Sequence, residues 1–134
     1  MEDLTRFARY QGVVVHGDKR GRVLGFPTAN IALPPIIPAP VDGVYCGLIQ
    51  LPQLGSLHGA TISVGKNPTF GDVTSTRVEA YIHDFDALIY GQTVELFIVR
   101  QLREMQRFGT VDELIIQTRR DVDASRQLLR TITM

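Results

Sequence analysis

The sequence has a single cysteine, Cys46, and no surplus of charge, since 14 Lys and Arg balance 14 Asp and Glu. One cysteine cannot close an intramolecular disulfide and has no companion thiol for a zinc site, so a reducing, cytoplasmic setting is expected. Cys46 lies in an apolar run and reads as a small core residue rather than a nucleophile. A neutral balance gives nothing that argues for an electrostatic partnership with nucleic acids or acidic membranes, so neither partner is expected. No apolar run is long enough to cross a bilayer. The start, Met1-Glu2-Asp3-Leu4, is acidic and short of the apolar stretch that a signal peptide requires. Repeats, low-complexity tracts, a dividing linker and βαβ alternation are all missing, which argues for one domain over residues 1–134 and against a doubly wound sheet.

What is present is a chain of 134 residues, 44% hydrophobic and 21% charged, enough to bury one core. Residues 1–10 are weakly patterned. Gln11 to His16 reads as a strand, with the β-branched run Val13 to Val15. Extended chain resumes at Ile31 to Leu33, and Pro34, Pro35, Pro38 and Pro40 then make a stiff connector. Gly43–Leu51, Gly59–Val64, Arg77–Asp84 and Thr93–Arg100 follow as strands. Val78, Ala80 and Ile82 alternate with Glu79, Tyr81 and His83, and Val94, Leu96 and Ile98 with Glu95, Phe97 and Val99.

After Arg100 the period changes. Thr110-Val111-Asp112-Glu113 matches a capping box. Val111, Leu114, Ile115, Thr118, Val122, Ser125, Leu129 and Ile132 then recur at helical spacing, with Arg119, Arg120, Asp121, Asp123 and Arg126 off that stripe as a solvated face. The expected fold is mainly β: a small closed antiparallel barrel of Greek-key type with about six strands and a C-terminal α-helix. The barrel should occupy about residues 11–100, a flap 101–109 and the helix about 111–131.

Chemistry concentrates in His16-Gly17-Asp18-Lys19-Arg20-Gly21-Arg22-Val23-Leu24-Gly25-Phe26-Pro27-Thr28-Ala29-Asn30. Gly17, Gly21 and Gly25 allow sharp turns and close approach of a ligand to the backbone. Successive N–H groups in such a turn form an anion-binding hollow, beside the charge of Lys19, Arg20 and Arg22. In extended chain Thr28 and Asn30 point the same way, so their oxygens can converge on one hard cation. The same composition also suits a surface hairpin with solvated charges. It is not a Walker A loop, because G-x-x-x-x-G-K-[ST] is missing, nor a protein-kinase glycine loop, because no V-A-I-K, H-R-D or D-F-G follows.

If phosphates are held there, a carboxylate on a rigid element must orient the acceptor hydroxyl. Glu79, beside Tyr81 on the polar face of its strand, is the candidate; an ordinary exposed strand residue is the alternative. Phe108 is suited to stacking on a planar ring, or simply to stapling the helix to the barrel.

The string Gly25-Phe26-Pro27-Thr28-Ala29-Asn30 resembles the hallmark of the riboflavin kinase (flavokinase) family. Val78-Glu79-Ala80-Tyr81-Ile82-His83-Asp84-Phe85-Asp86 is similar to its second signature, and the likeness runs from about Gln11 to Leu129. It is that of the C-terminal kinase module of bacterial bifunctional riboflavin kinase/FMN adenylyltransferase (FAD synthetase). The resemblance implies ATP:riboflavin 5′-phosphotransfer giving FMN and ADP, with Glu79 as catalytic base and Mg²⁺ at Thr28 and Asn30. It also implies ATP contacts from Gly17, Arg22, Thr28, Asn30, Tyr81 and Tyr90. Leu102 to Phe108 resembles the family's flap, with Arg103, Gln106 and Phe108 at the flavin. Gly65-Lys66-Asn67-Pro68-Thr69-Phe70-Gly71 resembles a turn that supports the metal loop.

The chain departs from the family at Leu88, Met105 and Gln106, which puts flavin affinity and flap closure in question rather than phosphoryl transfer. No H-x-G-H-like motif occurs, so adenylyl transfer is not expected of this chain. Two other readings remain open: a catalytically weakened flavin- or nucleotide-binding module, which would bind flavin and yield no FMN, and an OB-type nucleic-acid binder, disfavoured by the neutral charge. The expected partners are small molecules, and a monomer is expected.

Overall fold

The computed structural model describes residues 4–16, 25–34, 36–68 and 74–132, with the backbone alone at 66–68 and 74–75. After a single 3₁₀ turn at Leu4–Arg6 come strands β1 (Ala8–Val15), β2 (Ala29–Ala32), β3 (Gly43–Leu51), β4 (Ser56–Pro68), β5 (Thr74–Ile82) and β6 (Thr93–Arg103). Helix α1 (Val111–Arg130) ends the fold. The strands close a barrel in the order β1-β2-β5-β4-β3-β6, every pairing antiparallel. Strands β3, β4 and β5 are successive neighbours and β6 returns to lie beside β3, which is the Greek-key arrangement expected.

Several boundaries differ from the sequence reading, chiefly because pairing extends strands past their apolar residues: β4 runs over Ser56–Pro68 rather than Gly59–Val64, and β5 over Thr74–Ile82 rather than Arg77–Asp84. Strand β1 begins at Ala8, whose partner is Ile98, so the weakly patterned Ala8–Tyr10 are strand. Strand β6 runs to Arg103, opposite Val44, so residues 101–103 of the expected flap are still sheet.

The barrel interior holds Val14, Ile31, Tyr45, Ile49, Leu51, Ile62, Val64, Val78, Ala80, Ile82, Val94 and Leu96. These are the inward members of each alternation. A second buried layer, Val44, Cys46, Leu48, Phe97 and Val122, lies outside that cluster, where α1 covers the outer face of β3 and its neighbours. Strand β3 is therefore buried on both faces. Phe97, read as an outward residue, is only 5% exposed for the same reason. At Gly47 a Cβ would stand 2.6 Å from the carbonyl oxygen of Phe97, next to a shift in the β3–β6 register, so glycine lets the two strands close there.

Thr110 caps α1, its hydroxyl accepting from the Glu113 N–H at 3.1 Å, while Glu113 accepts from the Gly109 N–H at 3.0 Å. Val122 and Ser125 are buried as their spacing predicts. Val111, placed on the apolar stripe, is exposed instead, because the helix start projects beyond the sheet. Asp121, placed on the solvated face, is buried; it points at the end of β6, where Arg103 neutralises it.

Candidate active site

Cross-strand register puts the sequence-predicted residues in one line. Asn30 of β2 pairs directly with Glu79 of β5, Glu79 with Ser63 of β4, Ser63 with Val44 of β3, and Val44 with Arg103 of β6. Directly opposed residues share a face, with Cβ atoms about 4.5–5.5 Å apart. The face is the outer one, since Val78 and Ala80 on either side of Glu79 point into the core. Neighbouring strands are about 4.8 Å apart, so Glu79 stands about 14 Å along the sheet from Arg103. The Glu79 carboxylate is half-buried, with Arg77 Nη1 3.8 Å from its Oε1.

Thr28 precedes β2 in extended chain and lies at the rim of a cavity of about 570 Å³. Pro27, Ala29, Ala80, Ile82 and the segment Phe85–Tyr90 line the rest of it. Its walls mix apolar side chains with polar surface, Thr28, Asp86 and the Tyr90 phenol among the polar groups, a lining that a flat heteroaromatic ring with polar edges fits. Tyr90 stacks on His16, ring centres 3.8 Å apart. Tyr81 does not line this cavity, because residues 80 and 82 are the ones that alternation turns inward. It meets Phe26 edge-on at 5.6 Å instead. Leu88, one of the departures, is an exposed part of the cavity wall.

At the other end of the line the flap crosses the sheet. Met105 lies against Gly65, where a Cβ would stand 3.2 Å from its Cε. The turn expected at Gly65 to Gly71 is instead strand as far as Pro68, because Gly65 to Pro68 pair with Arg77 to Thr74 of β5; Thr69 to Gly71 lie outside the described residues. Gln106 is exposed and Phe108 half-buried. Arg103, read as a flavin contact, donates from Nε and Nη2 to the Asp121 carboxylate at 2.9–3.2 Å and faces the Phe108 ring at 5.7 Å.

Beneath α1, Thr61 Oγ1 donates to Ser125 Oγ at 2.9 Å and lies 2.8 Å from His83 Nε2. Burial holds the His83 imidazole at a pKa of about 4, with nearby Arg126 adding to the effect and Asp84 opposing it. Burial likewise pushes the Cys46 thiol up to about 11, so it stays protonated, as its place in an apolar run implied. Arg126 Nη1 donates to Asp84 Oδ2 at 3.0 Å, and Asp84 has a left-handed φ of 55° at the start of the cavity segment.

The structure pairs Asn30 with Glu79 on the outer face, while Thr28 and Tyr90 line the cavity and Arg103, Gln106 and Phe108 lie at the flap. Gly17 and Arg22 lie outside the described residues. Among the described residues no group of three or more His, Cys, Asp and Glu side chains gathers as a metal site. Thr28 and Asn30 are neutral oxygen donors, which suit a hard cation that arrives bound to phosphates. Sequence reasoning missed Ser63 and Asp121. An acid three residues beyond Thr118 and four before Ser125 was the available signal for the latter, since an acid on a buried stripe requires a cation.

The family model described as "Flavokinase: Riboflavin kinase" matches residues 4–129. A bifunctional riboflavin kinase/FMN adenylyltransferase from Listeria monocytogenes is 39% identical over 116 residues, 87% of this chain and 36% of that one. The Escherichia coli K12 protein of the same name is 36% identical over 118 residues, with 87% and 36% covered. The chain therefore spans about a third of the length of these relatives. Among solved structures, riboflavin kinase from Trypanosoma brucei superposes with a TM-score of 0.66 at 28% identity, covering 91% of this chain and 79% of that one. A Streptococcus pneumoniae structure described as a macrolide-efflux protein gives 0.82 at 39% identity, over 90% and 38%. No described helix is long and apolar enough to cross a membrane.

Proposed function

The chain belongs to the riboflavin kinase family, and on that premise we propose that it transfers the γ-phosphate of Mg-ATP to the ribityl 5′-hydroxyl of riboflavin, giving FMN and ADP. The observation that carries the reading is the direct pairing of Asn30 with Glu79. It sets an amide that can hold a phosphate or its cation across one strand spacing from the acid that must meet the attacking hydroxyl.

The nucleotide base enters the cavity under Tyr90, and Thr28 at the rim turns the phosphate chain out toward Asn30. When Mg²⁺ is bound, Thr28 and Asn30 hold it with the phosphates, and it neutralises charge that develops on them. Glu79 accepts the hydroxyl proton as the new P–O bond forms. A carboxylate is a far weaker base than an alkoxide, so a base of this kind acts only as the transition state develops. The reactive hydroxyl of the ligand meets Glu79 and its planar ring meets the flap. The flap covers that ring and keeps water from competing with the hydroxyl.

All of these groups come from one chain, so a monomer suffices, and a cytoplasmic setting suits the buried thiol. One relative, from Bacillus subtilis, is described as an RNA-binding riboflavin kinase; this chain spans 46% of it, and its RNA binding is not carried over. The test is to incubate the purified chain with riboflavin and Mg-ATP and separate the flavins by chromatography. FMN should form in step with ADP; riboflavin recovered unchanged, with or without ATP hydrolysis, refutes the proposal.

A further inference from the structure

The flap is gripped from its first residue. Asp121 of α1 is 5% exposed, and its carboxylate accepts from Nε and Nη2 of Arg103 and, at 3.0 Å, from Gln117 Nε2. The same guanidinium donates from Nη1 to the carbonyl oxygen of Glu104 at 3.0 Å and faces the Phe108 ring at 5.7 Å. One side chain therefore touches both ends of residues 104–108, and one buried carboxylate fixes that side chain. A forked pair of this kind locks the guanidinium plane as well as its position. The far end is pinned separately, at Gly109 and Thr110, by Glu113. Between the two anchors Met105, Gln106 and Arg107 are exposed.

We propose that Asp121 is a positioning residue for the flavin: it fixes Arg103, and Arg103 presents Phe108 to the ring. This rests on the riboflavin kinase reading given above. It also reassigns Arg103 from contact to support, because its donor edge is engaged by Asp121 and by the Glu104 carbonyl.

Asp121→Asn keeps the side-chain shape and removes the charge. The riboflavin KM should rise about ten- to a hundredfold, as when a supporting group is removed behind a ligand contact. The turnover number and the ATP KM should stay near the wild-type values. Amide hydrogen exchange should quicken across residues 104–109 and stay unchanged in the barrel strands. A residue that merely stabilises the fold would lower the melting temperature without splitting the two KM values. Asp121→Glu, which restores the carboxylate, should recover much of the riboflavin affinity.

If Asp121→Asn does not fold because Arg103 is left as an unpaired cation, the double variant Arg103→Met/Asp121→Leu replaces the pair with apolar side chains, a change folds commonly accept. It should bind ATP normally and riboflavin weakly. A folded variant with wild-type riboflavin KM, or with no faster exchange at 104–109, overturns the proposal. Failure of the wild-type chain to bind riboflavin refutes the function itself and the flavin role of Asp121 with it, while the exchange rates still judge the clamp.

Discussion

The outer face of the barrel is divided by the edge of α1. On the covered side Val44, Cys46, Leu48, Phe97 and Val122 are buried, and of the buried polar groups Thr61, His83 and Ser125 are tied to one another and Asp121 to Arg103. On the open side Asn30 and Glu79 are half-buried and paired across strands, beside a cavity that reaches the barrel mouth. The two sides share strands β4 and β5, and even share residues of one alternation, since Glu79 and His83 are outward positions of the same run. The difference is what covers them. Covered polar residues become parts of the fold, with donors and acceptors closed on each other, whereas the uncovered ones stay within reach of solvent.

The largest expected effect lies on the open side. Glu79→Gln should lower FMN formation about 10²–10⁴-fold, the usual contribution of a positioned base, with ATP binding by calorimetry close to wild type. Equal turnover in the variant would remove Glu79 from the chemistry. On the covered side Leu48→Ala should cost about 2–5 kcal/mol in urea unfolding, for a Leu that is 1% exposed, and leave both KM values alone in the fraction that remains folded. Asn30→Ala should weaken Mg-ATP binding about tenfold, the loss of roughly one charged hydrogen bond; an unaltered dissociation constant would separate Asn30 from the phosphates.

The smallest effect concerns pH. His83 titrates near 4 in the folded chain and near 6.5 when unfolded. Between those values the unfolded chain takes up a proton that the folded chain refuses, so stability should fall as pH drops through 6.5 towards 4 and be unaffected by His83 above that window. Melting curves of wild type and His83→Gln at pH 7 and pH 5 measure it, and the variant should show the smaller drop.

Part of the open side was legible because strand alternation is a local signal. The two faces of the run from Arg77 to Ile82 follow from period two alone, and Thr110 from its capping chemistry. Three things were not legible. The register that puts Asn30 against Glu79 depends on barrel closure, which no local pattern encodes. Burial of Phe97 and Asp121 depends on where α1 lies, so alternation assigned the first outward and helical spacing the second to solvent. The role of Arg103 depends on Asp121, its partner 18 residues on, and a resemblance between motifs cannot say which of two neighbours a guanidinium serves.

The seam between β1 and β6, where Ala8 meets Ile98, sets the order in which the chain can be completed. During synthesis the β1 edge emerges before β6 and has no mate on that side until β6 leaves the ribosome, so over that interval an unprotected strand edge is presented to other chains. A nascent or truncated chain that stops before residue 93 would keep that edge indefinitely. The same seam that gives the finished barrel no strand edge to offer a neighbour makes its unfinished form a natural client for chaperones.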